Sequence, residues 1–333
     1  MSTVVLAPMK EVSLPPFWLI LEEYGRPDAY FSQFIRVHAN YLISERELKP
    51  LLAFKNVFVQ FLGNDLEALK RNIDVLLSHN VQSIDFNMGC PVSRIQKKAV
   101  GGGLLKTPDR IAVLLKSLRQ FIPVNFSVKL RLGFENTDDF LKIIDICNEA
   151  EVDLITVHAR TVSDLYRATP RYEFITEAVK NSRCPVLANG DLHSVPKCLD
   201  VLKLTGCAGV MIGRAAIRNP WIFNQWRSQT RGEPLFRPTF AHAWGYFEKL
   251  YSRFELQQIP EKSALGVLKR FANYVGQSVD PSGVFLSAIR QTRILVEFWK
   301  TGEQFLLKNG AADQLLSLEP FSNLFADINK EKP

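Results

Sequence analysis

No stretch of the sequence reaches the roughly 18–20 consecutive apolar residues that a membrane-spanning helix needs, so no membrane association is expected. The first residues, Met1-Ser2-Thr3-Val4-Val5-Leu6-Ala7-Pro8-Met9, lack a basic leading segment and are interrupted by Pro8. They read as a first strand, not a signal peptide. The five cysteines, Cys90, Cys147, Cys184, Cys198 and Cys207, are an odd number with no Cys-x-x-Cys pair. That disfavours a disulfide framework or a zinc ribbon, and a reducing cytoplasm is the expected location. The five histidines are dispersed, with no His-Glu-x-x-His and no paired carboxylate motif, so no metal and no metal-assisted hydrolysis are expected. No Gly-x-Gly-x-x-Gly follows the first strand, which weakens the case for a doubly wound open sheet. Internal repeats and low-complexity tracts are also missing.

What is present is ordinary globular composition: 333 residues, 47% hydrophobic and 23% charged, enough for one large domain and a smaller one. The formal charge is +7. Residues 1–158 carry 18 basic and 18 acidic side chains, residues 159–233 carry 11 against 6, and residues 234–333 carry 12 against 10. The excess therefore lies after the midpoint. It suits either a solvated surface or a polyanionic partner such as RNA, and charge alone does not choose between them.

Eight short β-rich runs recur with room for one helix and two loops between them: Val4–Ala7, Tyr30–Ile35, Val57–Leu62, Ser83–Phe86, Val124–Leu130, Leu154–Val157, Pro185–Ala188 and Ala208–Ile212. The intervals carry helical signals. Leu66–Leu77 places Leu66, Leu69, Ile73, Leu76 and Leu77 on one stripe behind Asn64 as a cap. Pro108-Asp109 opens the helix through Ile111–Leu118, and Asp138–Glu149 and Pro196–Leu204 follow the same logic. Eight such units predict an α/β fold, a (β/α)8 TIM barrel, ending near residue 225. Ser228–Pro234 reads as a linker. Phe240–Phe254, Glu261–Val275 and Val284–Phe298 then predict a small C-terminal all-helical domain.

Active sites of such barrels lie at the C-terminal strand ends. Here those ends carry Pro8-Met9, Arg36, Gln60, Asn87, Lys129 and Arg131, His158 and Arg160, Asn189-Gly190-Asp191, and Gly213-Arg214. The turns at Gly190 and Gly213, with Arg214, suit a phosphate after strands seven and eight. The simple alternative is tight turns that require glycine. Lys129 is a cation within a strand, fitted either to a salt bridge or to an anionic group such as the N1/C2=O edge of a reduced flavin, whose ring Gln60 and Asn87 could also serve. Cys90 follows Gly89 and precedes Pro91 at a strand's catalytic end, so it differs from cysteines that are small core residues. As a protonated thiol it would donate a proton. Its cationic surroundings could instead make it a thiolate nucleophile, and both roles remain open. Arg94, Lys97 and Lys98 followed by Gly101-Gly102-Gly103 suggest a basic, mobile lid. Tyr166-Arg167 can stack on a base.

Taken in order, Leu6-Ala7-Pro8-Met9, Gln60-Phe61-Leu62-Gly63, Asp85-Phe86-Asn87-Met88-Gly89-Cys90-Pro91, Ser127-Val128-Lys129-Leu130-Arg131-Leu132-Gly133, Val157-His158-Ala159-Arg160-Thr161, Ala188-Asn189-Gly190-Asp191 and Ile212-Gly213-Arg214 form a set. With it the chain resembles the tRNA-dihydrouridine synthases over nearly its whole length. Phe34-Ile35-Arg36-Val37 and the triglycine look most like the bacterial DusC-type branch, and Asn219-Pro220-Trp221-Ile222-Phe223 looks more like the DusB type.

The resemblance implies an FMN- and NAD(P)H-dependent oxidoreductase that converts a uridine of the tRNA D-loop to 5,6-dihydrouridine. NADPH (or NADH) would reduce bound FMN, hydride would pass from N5 to C6 of a flipped-out uridine, and Cys90 would protonate C5. Pro8, Met9, Gln60, Lys129, His158, Asn189, Gly190, Asp191, Gly213 and Arg214 would hold FMN. Arg36, Asn87, Arg131, Tyr166 and Arg167 would face the uridine and neighbouring RNA. Residues 1–230 would form the FMN-binding catalytic barrel, and residues 235–333 a helical tRNA-binding domain that clamps the RNA with it. tRNA is the implied partner, with no obligate protein partner. A flavoprotein acting on free pyrimidines and a non-catalytic RNA-binding barrel are the alternatives.

Overall fold

β-Branched and aromatic residues dominate the apolar runs, and they form strands because such side chains pack well on a pleated, buried surface. The computed structural model describes residues 2–321. Among these, nine strands make one wholly parallel sheet in the order β2-β1-β9-β8-β7-β6-β5-β4-β3, closed by pairing of β2 with β4. The elements are β1 Thr3–Leu6, α1 Pro15–Tyr24, β2 Ala29–Phe31, β3 Ile35–Arg36, α2 Glu45–Leu52, β4 Val57–Leu62, α3 Leu66–Ser78, β5 Ser83–Met88, α4 Ser93–Gln96, α5 Pro108–Phe121, β6 Asn125–Arg131, α6 Phe140–Glu149, β7 Leu154–His158, α7 Glu173–Asn181, β8 Val186–Asn189, α8 Val195–Thr205 and β9 Gly209–Ile212. After them come α9 Arg214–Arg218, α10 Ile222–Thr230, α11 Phe240–Arg253, α12 Glu261–Val275, α13 Val284–Gln291 and α14 Leu295–Leu306. The predicted (β/α)8 barrel followed by helices is what the chain forms. No helix among the described residues is long and apolar enough to cross a membrane.

The predicted second strand, Tyr30–Ile35, is in fact two pieces. β2 pairs with β1 and with the start of β4, whereas β3 pairs with the end of β4 at Ile35↔Phe61 and Arg36↔Leu62. Helix α3 begins as expected, but its cap is Asp65, which accepts from the Ala68 N–H at 3.0 Å; Asn64 donates instead to the carbonyls of Lys98 and Ala99. Such a cap contributes about 1 kcal/mol. Proline at the first position of α5 fixes its start, and Ile111, Leu114, Leu115 and Leu118 form its buried stripe.

The chain divides into two compact units. The first, among the described residues, is residues 2–14, Pro27–Leu192 and Pro196–Ile212, and it holds all nine strands. Its barrel interior has two halves. Val5, Ala7, Ala29, Phe31, Phe58, Leu187 and Met211 pack as one apolar cluster with Leu154. Beyond Phe58, Leu154 and Leu187, the inward positions of β4 to β8 nearer the C-terminal strand ends are polar and supply the site described below. The second unit, among the described residues, is Pro15–Arg26, His193–Val195 and residues 213–321. Residues 213–230, placed with the barrel by sequence, thus fall among the helices, where Trp221 stacks on Tyr24 at 5.0 Å. Buried Arg218 ties this unit together by donating to Ser278 Oγ and to the carbonyls of His193, Ser317 and Leu318.

Two further differences concern helix limits. Ser228–Thr230, expected in a linker, finish α10. The predicted helix Val284–Phe298 is broken into α13 and α14, because Lys269 Nζ takes the carbonyls of Arg290 (2.7 Å) and Thr292 (2.6 Å) and ends the first helix. Residues 322–333 of the expected C-terminal domain lie outside the described residues.

Candidate active site

Strand register alone brings the polar residues together. Gln60 sits opposite Asp85 and Asp85 opposite Ser127. One inward step higher, Asn87 is opposite Lys129 and Lys129 opposite Thr156; another step brings Arg131, His158 and Asn189 into line. Because side chains alternate between faces, each row points the same way, and successive rows climb toward the C-terminal mouth.

The lowest row is a closed hydrogen-bond set. Asp85 accepts from Gln60 Nε2 at 2.6 Å and from Ser127 Oγ at 2.5 Å. Gln60 Oε1 accepts from Asn87 Nδ2 at 2.9 Å, and Asn87 Oδ1 accepts from the N–H groups of Gly89 (3.1 Å) and Cys90 (2.9 Å). Burial pushes the Asp85 carboxyl up to about 7, against the pull of the Gln60 and Ser127 hydrogen bonds and the Lys129 charge. Sequence reasoning gave Asp85 and Ser127 no role. The available signal was period two: Asp85 lies two residues before Asn87, and Ser127 two before Lys129.

Lys129 is half-buried and donates to the neutral Asn189 Oδ1 at 3.1 Å, while Asn189 Nδ2 donates to the Met211 carbonyl at 2.7 Å. Lys129 makes no ion pair among the described residues. Burial, and next the Arg131 charge, lower its ammonium to about 8, with Asp85 opposing. In the same row, the buried Thr156 Oγ1 has no hydrogen-bond partner among the described residues. Gly190 adopts φ +122°, a conformation suited to glycine, and its carbonyl accepts from Tyr172 Oη at 2.7 Å.

Cys90 is part-exposed just beyond β5 and is held from three sides. Asn87 takes its N–H, the Gly102 N–H donates to its carbonyl at 3.1 Å, and Arg131 Nε donates to the preceding Gly89 carbonyl at 3.0 Å. Burial raises the thiol above its ordinary value, more than the Val92 N–H and the charges of Arg131, Lys129 and Lys10 lower it. Of the two roles left open by sequence, this burial favours the protonated form that a proton donor needs.

The triglycine differs from the expected mobile lid. Gly101–Lys106 is a 3-10 helix with all three glycines buried. A Cβ at Gly102 would lie 2.6 Å from Val162 Cγ2 and 2.8 Å from the Cys90 carbonyl oxygen, and one at Gly103 would lie 2.7 Å from the Gln96 carbonyl oxygen. Close approach, not flexibility, requires glycine here. Arg94, Lys97 and Lys98 beside it are exposed.

The remaining predicted residues are placed as follows. Pro8 and Met9 are half-buried in the turn after β1, where Ser13 Oγ accepts from the Met9 N–H and donates to the Ala7 carbonyl. Arg36 ends β3 and is half-buried. Arg131 is buried, and its Nη1 donates to the carbonyls of Thr161 and Leu165, both at 2.7 Å. Its guanidinium lies 5.1 Å from the Tyr166 ring, which meets His158 edge-on at 6.1 Å. Arg167 is exposed next to Tyr166. Asp191 forms a two-pronged pair with buried Arg160, a residue marked at its strand end but given no role by sequence. Gly213 and Arg214 directly follow β9 and open α9 in the second unit.

A family model for dihydrouridine synthase (Dus) matches residues 5–304. The chain belongs to the dihydrouridine synthase family. A probable tRNA-dihydrouridine synthase of Helicobacter pylori (strain ATCC 700392 / 26695) is 36% identical over 236 residues, covering 69% of this chain and 71% of that protein. The tRNA-dihydrouridine synthase B of Pasteurella multocida is 26% identical over 340 residues, 99% and 96% of the two chains. A tRNA-dihydrouridine(16) synthase of Neisseria meningitidis serogroup A is 26% identical, covering 88% and 91%. Among solved structures, the old yellow enzyme homologue of Zymomonas mobilis superposes with a TM-score of 0.50 at 12% identity, over 70% of this chain and 90% of that one, which is a likeness of fold.

Proposed function

We propose that the protein is a tRNA-dihydrouridine synthase that binds FMN in the barrel mouth and reduces a uridine of the tRNA D-loop. The observation that carries this reading is the pairing of a protonated, rigidly held thiol at Cys90 with an ammonium at Lys129 that donates to a neutral amide oxygen and makes no ion pair among the described residues. A half-buried cation so placed favours an anionic guest, and the N1/C2=O edge of a flavin is one. Thr156 Oγ1 beside it, without a hydrogen-bond partner among the described residues, offers a further polar contact. Residues and group therefore fit.

In this reading Lys129, His158, Asn189 and Gly190 hold the ring and its tail, with Pro8 and Met9 at the edge and Asp191 kept in place by Arg160. Gln60, engaged on both atoms of its carboxamide, supports the floor. Gly213 and Arg214 are assigned to the phosphate. When bound, FMN supplies the hydride from N5 to C6 of the uracil and is recharged by NADPH or NADH. Cys90 supplies the proton at C5, so the C5–C6 double bond becomes a single bond and the thiolate regains a proton from solvent. Asn87 fixes the Cys90 backbone, and Arg131 holds Gly89 while presenting Tyr166. A stacked base must leave its helix to reach a barrel mouth. Exposed Tyr166 and Arg167, with Arg36, are assigned to the extruded uridine and its neighbours, and the residues after 235 to the tRNA body. A cytoplasmic location suits this substrate.

The test is direct. The purified protein is expected to be yellow, to release FMN on denaturation, and to oxidise NADPH faster when undermodified tRNA is added. A colourless protein that does not take up FMN, or turnover of free uracil without RNA, contradicts the reading.

A further inference from the structure

Asp85 is fully buried on β5, one inward position below Asn87, and no step proposed above uses it. An unbroken hydrogen-bond chain nevertheless runs from its carboxylate through Gln60 and Asn87 to the backbone of Cys90. The direction of that chain is fixed at both ends. Ionised, as it is above about pH 7, Asp85 only accepts, so Gln60 turns its NH2 toward Asp85 and its carbonyl toward Asn87. Asn87 must then turn its own NH2 toward Gln60, which leaves its carbonyl facing the Gly89 and Cys90 amides. Backbone N–H groups only donate, so that carbonyl is what they require. Flipping either amide would oppose like groups inside the barrel, where an unsatisfied polar atom is costly. Ser127, donating to the other oxygen of Asp85, keeps the carboxylate from rotating away.

We propose that Asp85 is a positioning residue whose carboxylate sets the orientation of the Gln60–Asn87 amide relay and thereby seats the Cys90 backbone for proton donation. The inference rests on the reading of Cys90 as the proton donor. Its test is independent of flavin and RNA, so that failure of one is distinguishable from failure of the other.

The readout is amide hydrogen exchange at Gly89 and Cys90 in the full-length protein, together with the pH profile of Cys90 alkylation by iodoacetamide, followed on the Cys90 peptide by mass spectrometry. In Asp85→Leu the two amides are expected to lose about fivefold in protection, the worth of one hydrogen bond, while β1 and β9 keep theirs. The alkylation midpoint is expected to fall toward that of a free thiol, about 8.5. A folded Asp85→Leu with unchanged exchange and midpoint overturns the proposal. Should that variant not fold, a reversal of polarity decides the matter. Compared above pH 7, where Asp85 is ionised, Asn87→Asp alone sets acceptors on both sides of Gln60 and is expected to lose protection at Gly89 and Cys90. Adding Asp85→Asn lets the new amide at position 85 donate to Gln60, Gln60 donate to position 87, and that carboxylate accept from the two backbone amides. The double variant is expected to recover protection to within about twofold of the native chain, since every bond of the relay is again made. A double variant no better than Asn87→Asp overturns the proposal.

Discussion

Burial raises the Cys90 thiol above its ordinary value, and the proton-donor role proposed for it depends on that effect. Loss of a general acid costs about 10²–10⁴-fold, so Cys90→Ala is expected to retain flavin and lose dihydrouridine formation by that factor, measured as dihydrouridine per tRNA. Because the acid must be protonated, the rate of uridine reduction should stay level through neutral pH and fall on the alkaline side of the ordinary thiol range. Lys129→Met removes a charge-assisted hydrogen bond and is expected to weaken FMN binding by about tenfold or more, read by flavin fluorescence titration. Asp85 gives a stability signature. Its carboxyl titrates near 7 when folded and near 3.9 when unfolded, so between those values the folded chain holds a proton that the unfolded chain has released. Stability from this group is therefore full below about pH 4 and lost as pH rises through 7; Asp85→Asn is expected to flatten that slope in urea melts. Cys90, Lys129 and Asn189 stand out in the sequence as candidates because they are unusual residues at strand ends, and the structure places them there. Asp85 and Ser127 do not, because a polar residue inside a strand gains meaning only from partners 25 and 42 positions away.

At the scale of elements, the positions of eight β-rich runs and most helix starts follow from local chemistry, and the departures have local causes. Ser32, Gln33 and Phe34 interrupt the second run, so β2 and β3 each take part of β4. Helix α1 was not among the expected helices, although proline is well suited to a first helical position and Phe17, Trp18, Ile20 and Leu21 are buried behind it. The triglycine shows how composition misleads: glycine signals flexibility in a sequence, while here it answers crowding against Cys90 and Val162. Two substitutions separate these meanings. Gly102→Ala forces a clash and is expected to cost about 1–3 kcal/mol and to disturb Cys90. Gly266→Ala, inside α12 with nothing within 4 Å of the added carbon apart from its chain neighbours and the helix's own backbone, is expected to stabilise by about 0.5–1 kcal/mol. Thermal melts of the two variants should move in opposite directions.

For the whole molecule, a net charge of +7 is compatible with a polyanionic partner, and salt dependence tests for one. Exposed Arg94, Lys97 and Lys98 adjoin the chain segment that seats Cys90. Replacing all three with alanine is expected to make tRNA affinity less sensitive to salt, by about one unit of log–log slope for every phosphate these cations neutralise in the native chain. The measurement that tests the central claim most directly follows the reduced protein as it reacts with tRNA. The native chain and Cys90→Ala are reduced by NADPH without oxygen and mixed with undermodified tRNA, and flavin absorbance is recorded. Both are expected to be reduced at similar rates, with rapid tRNA-driven reoxidation in the native chain and reoxidation slowed by orders of magnitude in Cys90→Ala. Equal reoxidation in the two proteins, or none in the native chain, would contradict the account.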